Sequence, residues 1–404
     1  MFEQFKQELE KKAAAGEEGI PELIDFILRS ALELNATDLH LECREQGAFL
    51  KLRMDGILHP VGIIQKELML NAVARLKVMA KVKTFDRRSP QDGRIEFEDP
   101  AGARFLRVSF LPTLHGEKAT VRFPDRSKIS FELEELGMRE EDLLRLNRFL
   151  EARQGALLLT GPISSGKTTT IYSILKRLVL ESRDGLSIST LEDPIESPIE
   201  GVTQTQIDPV GGLSYATGLR MLLRQDTDVM VVGEIRDEET AHMAVRAGLI
   251  GHLVISTIHS PDASGVFTRL INMGMEPFLI ASSVSAVVGQ RLLRRLCTGC
   301  KKEHILTDRE KGILKMAGEG ETRIFRAGQC NACRRTGYRG RMGIFEVLYM
   351  SEKLRELILE SPPTRLIRKR AGEEGMLPLS HHARTKVLEG ETSLEEYIRV
   401  LVPV

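Results

Sequence analysis

A chain of 404 residues, 42% hydrophobic and 28% charged, is too long for one ordinary core and predicts two or three domains. Lys plus Arg and Asp plus Glu are both 57, so no bulk basic field advertises a nucleic-acid or membrane partner, although local basic patches stay open. The charged N-terminus, Met1 to Glu10, lacks the apolar core of a signal peptide. No apolar run reaches the roughly 18–20 residues of a spanning helix. The expectation is a cytosolic soluble protein able to dock on a membrane complex.

In chain order, residues 1–20 read as a polar, flexible N-terminal arm. Pro21 opens an amphipathic helix to about Leu34, and β-like runs follow at Asp38–Cys43, Phe49–Met54 and Ile57–Ile64. A helical segment covers about Lys66–Lys81, Gln91–Arg94 is a turn signal, and strands are predicted near Ile95–Glu98, Phe105–Phe110 and Ala119–Phe123. These elements predict a small α+β domain over 21–124, with a linker over 125–135. Cys43, alone in an apolar stretch, reads as a small core residue.

From 136 to 290 the pattern changes to apolar runs at Ala156–Thr160, Leu186–Leu191, Val229–Gly233 and Leu253–Thr257, with helical segments between most of them. That alternation predicts an α/β domain with a parallel sheet covered on both faces, whose ligand lies beyond the carboxyl ends of the strands. Each run ends in polar residues. The first leads into Gly161-Pro162-Ile163-Ser164-Ser165-Gly166-Lys167-Thr168-Thr169 and a helix to about Leu180, which is the order of elements a phosphate-binding P-loop requires. Loop and helix N–H groups would converge on phosphate oxygens, Lys167 would supply a point charge, and the Thr168 hydroxyl would ligate Mg²⁺. Val229–Gly233 ends at Glu234, where a P-loop ATPase holds Mg²⁺ or its water. Glu192 ends another strand and is a candidate to orient or deprotonate an attacking water. His252 and His259 flank the last strand. Either is commonly a structural histidine, and their position also suits sensing of the γ-phosphate.

Cys297-x-x-Cys300 and Cys330-x-x-Cys333 fit a tetrahedral Zn²⁺ held by four thiolates, with a helix between the pairs at about Asp308–Ala317; a redox pair or metal-free cysteines compete. Four protein thiolates leave no open position, so such a zinc is structural. The basic runs Gln290–Leu296 and Arg365–Arg370 read first as solvated helix faces, with Arg294 alternatively approaching a bound nucleotide. The expected boundaries are 136–290 for the nucleotide core, 291–347 for the tetracysteine part and 348–404 for a helical subdomain.

Taken together, Thr190–Glu196, Leu223–Asp237 and Gly251–His259 resemble the acidic box, Walker B region and histidine box of the secretion ATPase family, which powers type II secretion and type IV pilus assembly. Thr37–Glu42, Arg53–Gly56 and Pro90–Arg94 resemble that family's second N-terminal domain. The resemblance implies a RecA-like ATPase domain after a PAS-like α+β domain, and a ring-shaped homo-hexamer binding ATP and Mg²⁺. It also implies a zinc-binding tetracysteine insert, characteristic of members that extend filaments or secrete. By motif position it makes Arg107 and Arg122 the arginines that reach the phosphates, and an inner-membrane platform protein the partner. Two departures are visible: Ile163-Ser164 stands where the family loop has Thr-Gly, and Asp226-Thr227-Asp228 where it has Asp-Pro-Asp. The expectation is a short form without the family's first docking domain, driving filament assembly for secretion, a pilus or competence. A nucleic-acid-translocating motor and a non-hydrolysing nucleotide-gated scaffold are the readings of other classes.

Overall fold

Alternating apolar positions on some segments and unbroken apolar runs on others produce two different sheets, one in each of the two units into which the chain divides, Met1–Arg126 and Ser127–Val404. The computed structural model describes residues 2–99, 102–123, 132–182, 185–316 and 320–402. Residues 124–131, which include most of the expected linker at 125–135, lie outside the described residues.

The first unit runs α1 (Phe2–Ala13), α2 (Ile20–Glu33), β1 (Asp38–Arg44), β2 (Gly47–Met54), β3 (Ile57–Ile64), α3 (Lys66–Met79), β4 (Gln91–Asp99), β5 (Gly102–Thr113) and β6 (Gly116–Arg122). Its sheet is antiparallel in the order β3-β2-β1-β6-β5-β4. Leu39, Leu41, Leu50, Leu52, Ala119 and Val121 are buried in the unit's core, while the residues that alternate with them form a polar face. Two expectations need correction. The N-terminal arm is a helix, because Phe5 and Leu9 are buried and Leu9 packs against Gly62 of β3. Gln91–Arg94 is the start of β4 and not a turn, since its backbone pairs with β5 from Phe110 to Arg107.

The second unit carries α4 (Glu140–Ala152), β7 (Gly155–Thr160), α5 (Lys167–Ser182), β8 (Ile188–Glu192), β9 (Thr203–Gln206), α6 (Tyr215–Leu222), β10 (Val229–Ile235), α7 (Glu238–Leu249), β11 (Leu253–Ile258), α8 (Ala263–Asn272) and α9 (Pro277–Ser283). It continues with β12 (Val284–Leu296), β13 (Lys302–Ile305), α10 (Asp308–Ile313), β14 (Arg323–Arg326), β15 (Tyr338–Tyr349), α11 (Glu352–Leu359), α12 (Thr364–Glu373), α13 (Leu379–Leu388) and α14 (Leu394–Leu401). Seven strands form one sheet in the order β15-β12-β7-β11-β10-β8-β9, parallel except for β15. Every residue of β7 and β11 is buried, as a strand covered on both faces demands.

The basic run Gln290–Leu296 is the outer half of β12 and not a helix face. Its first half, Val284 to Gly289, lies beside β7 with Gly289 opposite Thr160, and from Ala286 to Leu296 it pairs with β15. β12 and β15 therefore run through the expected boundaries at 290 and 347, so the tetracysteine segment is a loop excursion between two neighbouring strands of the nucleotide sheet. β13, α10 and β14 fill that excursion. Among the described residues no helix is long and apolar enough to cross a membrane.

His382 of α13 is buried and its Nδ1 accepts the Phe345 N–H of β15 at 3.0 Å. Burial pushes its pKa down to about 4. The folded value lies below the unfolded one, so between these pKa values only the unfolded chain takes up the proton. Stability is then complete above pH 6.5 and falls as the pH drops from 6.5 to 4, by on the order of 3 kcal/mol for this group. The expected result is that His382→Gln flattens the pH dependence of urea unfolding across this window; an unchanged slope would contradict a neutral, buried His382.

Candidate functional site

The carboxyl ends of β7, β8, β10 and β11 all point to one edge of the sheet, because the four strands are parallel. β7 ends at Thr160, and the loop from Gly161 to Gly166 leads into α5 at Lys167. The first N–H groups of α5 have no intrahelical acceptors and face the loop, a ready site for phosphate. Gly161 and Gly166 have φ of +152° and +92°. A Cβ on Gly161 would lie 2.4 Å from the Gln290 carbonyl and 2.6 Å from Ser165 Oγ, and one on Gly166 would lie 2.7 Å from Gln290 Nε2. The cradle closes only around glycine at both positions.

Lys167 Nζ donates to the carbonyls of Gly161 (2.9 Å) and Pro162 (3.0 Å), which holds the ammonium over the loop. Burial lowers its pKa, Glu234 opposes that shift, and Arg291 adds to it. Thr168 and Thr169 follow on the first turn of α5, half-buried. Ser165 is buried, and its hydroxyl makes no hydrogen bond among the described residues. An orphaned donor, two obligatory glycines, a lysine and a helix start together fit a nucleotide's phosphates. At the tip, Pro162, Ile163 and Ser164 are exposed, and Ser164 has φ of +62°, a conformation that costs a non-glycine residue about 1–2 kcal/mol.

Glu234 is aimed by a bulge. Between Val232 and Ile235 the register of β10 against β11 slips by a residue, and the Thr257 hydroxyl donates to the freed Gly233 carbonyl at 2.7 Å. The carboxylate of Glu234 then meets His259 Nε2 at 2.7 Å and Arg236 Nε at 2.5 Å. The Glu234 hydrogen bond raises the Arg236 pKa. Glu192 is buried and held by three donors: Thr190 (2.6 Å) and Gln204 (2.9 Å) on Oε1, and Tyr172 (2.5 Å) on Oε2. His252 lies at the opposite end of β11, where its ring bonds the Thr227 carbonyl at 2.8 Å. It braces strand starts and takes no part in this edge.

Arg294 does not belong to this edge either. Its guanidinium is committed to buried Glu396 of α14, at 3.0 and 2.8 Å, and stacks 3.8 Å from the Tyr338 ring centroid. Gln290 and Arg291 are the β12 residues that reach the P-loop, and the sequence reading missed both. Gln290 accepts from Thr170 at 2.9 Å. As neighbours on a strand they point to opposite faces, and it is the pairing of β12 beside β7, not a local sequence signal, that brings both to the loop.

In the first unit, Arg107 and Arg122 pair directly across β5 and β6. The same row of the ladder continues through Asp38 to Arg53 on one side and to Arg94 on the other, all on one face. Asp38 accepts from Arg122 Nε at 3.1 Å and lies 3.8 Å from Arg53 Nε. Four guanidinium groups with one carboxylate make an anion-attracting row. Arg53 and Arg94 stand in the motifs that carry the resemblance, but the sequence gives them no part in this row, because only the register aligns them.

The four cysteine sulfurs lie within 4.8 Å of one another, at 3.8 Å for Cys297–Cys330 and 3.6 Å for both Cys300–Cys333 and Cys330–Cys333. Four thiolates about 2.3 Å from a tetrahedral metal have edges of about 3.8 Å, whereas a disulfide needs about 2.05 Å. The geometry fits one four-coordinate metal ion and no disulfide. The knot is tied to the C-terminal segment by Lys301 Nζ to the Gly390 carbonyl (2.9 Å) and by Tyr338 to Ser393 (2.7 Å).

Tyr172→Phe removes one donor to Glu192 and keeps the ring. The expected outcome is a loss of about 1.5–3 kcal/mol in chemical unfolding, the usual worth of a hydrogen bond to a charged group. An unchanged midpoint would contradict the bond.

Residues 13–399 match the family model described as type II/IV secretion system protein. The chain is 42% identical over 378 residues to type II secretion system protein E of Pseudomonas aeruginosa, covering 94% of this chain and 74% of that relative. It is 38% identical over 401 residues to the type IV pilus assembly ATPase PilB of Myxococcus xanthus, covering 98% and 70%. Among solved structures, the Legionella pneumophila ATPase DotB matches with a TM-score of 0.65 at 19% identity, covering 93% of this chain and 94% of that one, a likeness of fold. With a P-loop, its carboxylates and its histidine on one sheet edge, the chain belongs to the type II/IV secretion system protein family, among its P-loop ATPases.

Proposed function

We propose that this chain hydrolyses ATP and uses the energy to add pilin or pseudopilin subunits to a filament in a type II secretion or type IV pilus machine. The observation that carries the reading is the convergence of Lys167, Glu234, His259 and Glu192 at one edge of a parallel sheet, around a loop that only glycine closes. Lys167 and the α5 amides bind and orient the β- and γ-phosphates. Thr168 and Glu234 are the residues that would hold Mg²⁺, directly or through its water, and its charge would offset that of the phosphate oxygens. Glu192 keeps acceptor capacity on Oε2, the atom it would offer to an attacking water. His259, fixed by Glu234, would follow the γ-phosphate. Arg107 and Arg122, with Arg94 in the same row, would neutralise charge developing on the phosphates.

A homo-hexamer working at the cytoplasmic face, against the cytoplasmic part of an inner-membrane platform protein, is the assembly this reading expects. The relatives' names support the machine, and the balanced charge of 57 against 57 gives no support to a nucleic-acid track. The tetracysteine knot is read as a structural zinc site, a staple that holds the outer ends of β12 and β15 to the C-terminal helices.

Steady-state ATP hydrolysis tests the assignment. Lys167→Ala is expected to lower turnover at least about a hundredfold while the thermal melt stays within a few degrees. Normal hydrolysis by that variant would sink the site. Metal analysis of the purified protein is expected to find about one zinc per chain, and its removal with a mercurial to lower the melting temperature. Cysteines that prove metal-free and oxidised would contradict the staple.

A further inference from the structure

The segment that leaves β11 is fastened one residue at a time, each to a different element. His259 pairs with Glu234 of β10. Ser260 is bonded twice to Thr160, the last residue before the P-loop: its N–H donates to the Thr160 hydroxyl, and that hydroxyl donates to its carbonyl, both at 2.9 Å. The Pro261 carbonyl accepts from Arg291 Nη2 at 2.7 Å. Asp262 caps α8 through the Gly265 N–H at 2.9 Å and pairs with Arg368 of α12. The Ala263 N–H donates to buried Glu346 of β15 at 2.7 Å.

Arg291 is the member of this set that also lies beside the P-loop. Its Nη1 donates to the Gln290 carbonyl at 3.2 Å and lies 3.2 Å from where a Cβ on Gly161 would stand. One planar guanidinium therefore spans from the first loop glycine to the segment behind His259. A fork with two separate nitrogens can do this, whereas a lysine offers a single point of contact. Burial lowers the Arg291 pKa, and Glu346 and Asp262 lie close enough to oppose that effect in part. Nothing in this arrangement commits Arg291 to the nucleotide. Both of its terminal nitrogens are engaged by carbonyls of the protein.

We infer that Arg291 is a positioning residue for hydrolysis, clamping the Ser260–Asp262 segment to the P-loop and so fixing His259, and through it Glu234, relative to the phosphates. The inference rests on the nucleotide site proposed above. It adds that the two carboxyl-edge loops are held in register from outside, by a side chain of β12. Thr160 holds the same segment from inside. Losing the outer clamp leaves the phosphate cradle intact and loosens only the groups that must face the γ-phosphate, so its effect belongs on turnover and not on binding.

The test uses the full chain and its Arg291→Gln and Arg291→Lys variants, measuring steady-state ATP hydrolysis, equilibrium binding of a fluorescent ATP analogue with Mg²⁺, and thermal melting. Arg291→Gln is expected to lower kcat by about tenfold to a hundredfold with the analogue's Kd within about twofold, since a misplacement near 1 Å carries a cost of that size. Arg291→Lys, which keeps the charge and one donor for Pro261 but not the fork, is expected to recover only part of that loss. An unchanged kcat in Arg291→Gln overturns the inference. So does a weakening of nucleotide binding in step with kcat, which would put the guanidinium on the nucleotide itself. If the wild-type chain binds and hydrolyses ATP but the glutamine variant is normal, the clamp alone fails. If the wild-type chain neither binds nor hydrolyses ATP, the nucleotide site fails and the clamp with it.

Discussion

The close packing of Gln290 against the P-loop is the contact on which the rest of the site depends. Its carbonyl and its side-chain amide occupy the space that a Cβ at Gly161 or Gly166 would need, and its Oε1 holds Thr170 on the first turns of α5. The loop is thereby wedged between β12 and the start of α5. The unsatisfied helix amides then face outward, and Lys167 folds over the loop carbonyls. Gln290 can act there because β12 lies parallel to β7 with Gly289 opposite Thr160. A loop with two left-handed glycines would otherwise be the most pliable part of the chain. Packed in this way it is a fixed cradle.

The charge distribution follows the same plan. The chain is neutral overall, with 57 residues of each sign, yet charge is concentrated where phosphate would sit. Lys167 brings positive charge to the loop, and Glu234 answers it closely enough to oppose the lowering of the Lys167 pKa. Glu192 is kept apart, buried under three donors. Two carboxylates on adjacent parallel strands thus have different surroundings. One shares its oxygens with a histidine and an arginine near the surface, and the other is locked by hydroxyls and an amide. Different surroundings are what allow two carboxylates to take different parts in one reaction.

The P-loop, the strands that feed the edge and the cysteine pairs were legible in the sequence because each is local. A run of apolar residues ending in Gly161-x-x-x-x-Gly166-Lys167-Thr168 carries its own geometry, and so does each Cys-x-x-Cys. The role of β12 was not legible, since it exists only through pairing with β7 and with β15, about fifty residues later in the chain. Reading Gln290–Leu296 as a helix placed Arg291 and Arg294 on one face, three residues apart. In the strand they fall on opposite faces, so Arg294 reaches Glu396 and Arg291 reaches the P-loop. The N-terminal helix escaped for a related reason. Phe2, Phe5 and Leu9 recur at a helical spacing, but three large apolar residues in so polar a stretch are too few to reveal a buried stripe without β3, against which Leu9 packs. The arginine row is a matter of register alone, because no spacing in the sequence puts Arg53, Arg94, Arg107 and Arg122 in line.

The most direct test of the account is an experimental structure of the assembled protein with Mg²⁺ and a non-hydrolysable ATP analogue. The account predicts β- and γ-phosphates hydrogen-bonded to the loop amides and Lys167, the metal beside Thr168 and Glu234, and Arg107 and Arg122 turned toward the phosphates. A nucleotide bound elsewhere, or phosphates out of reach of Lys167, would contradict it.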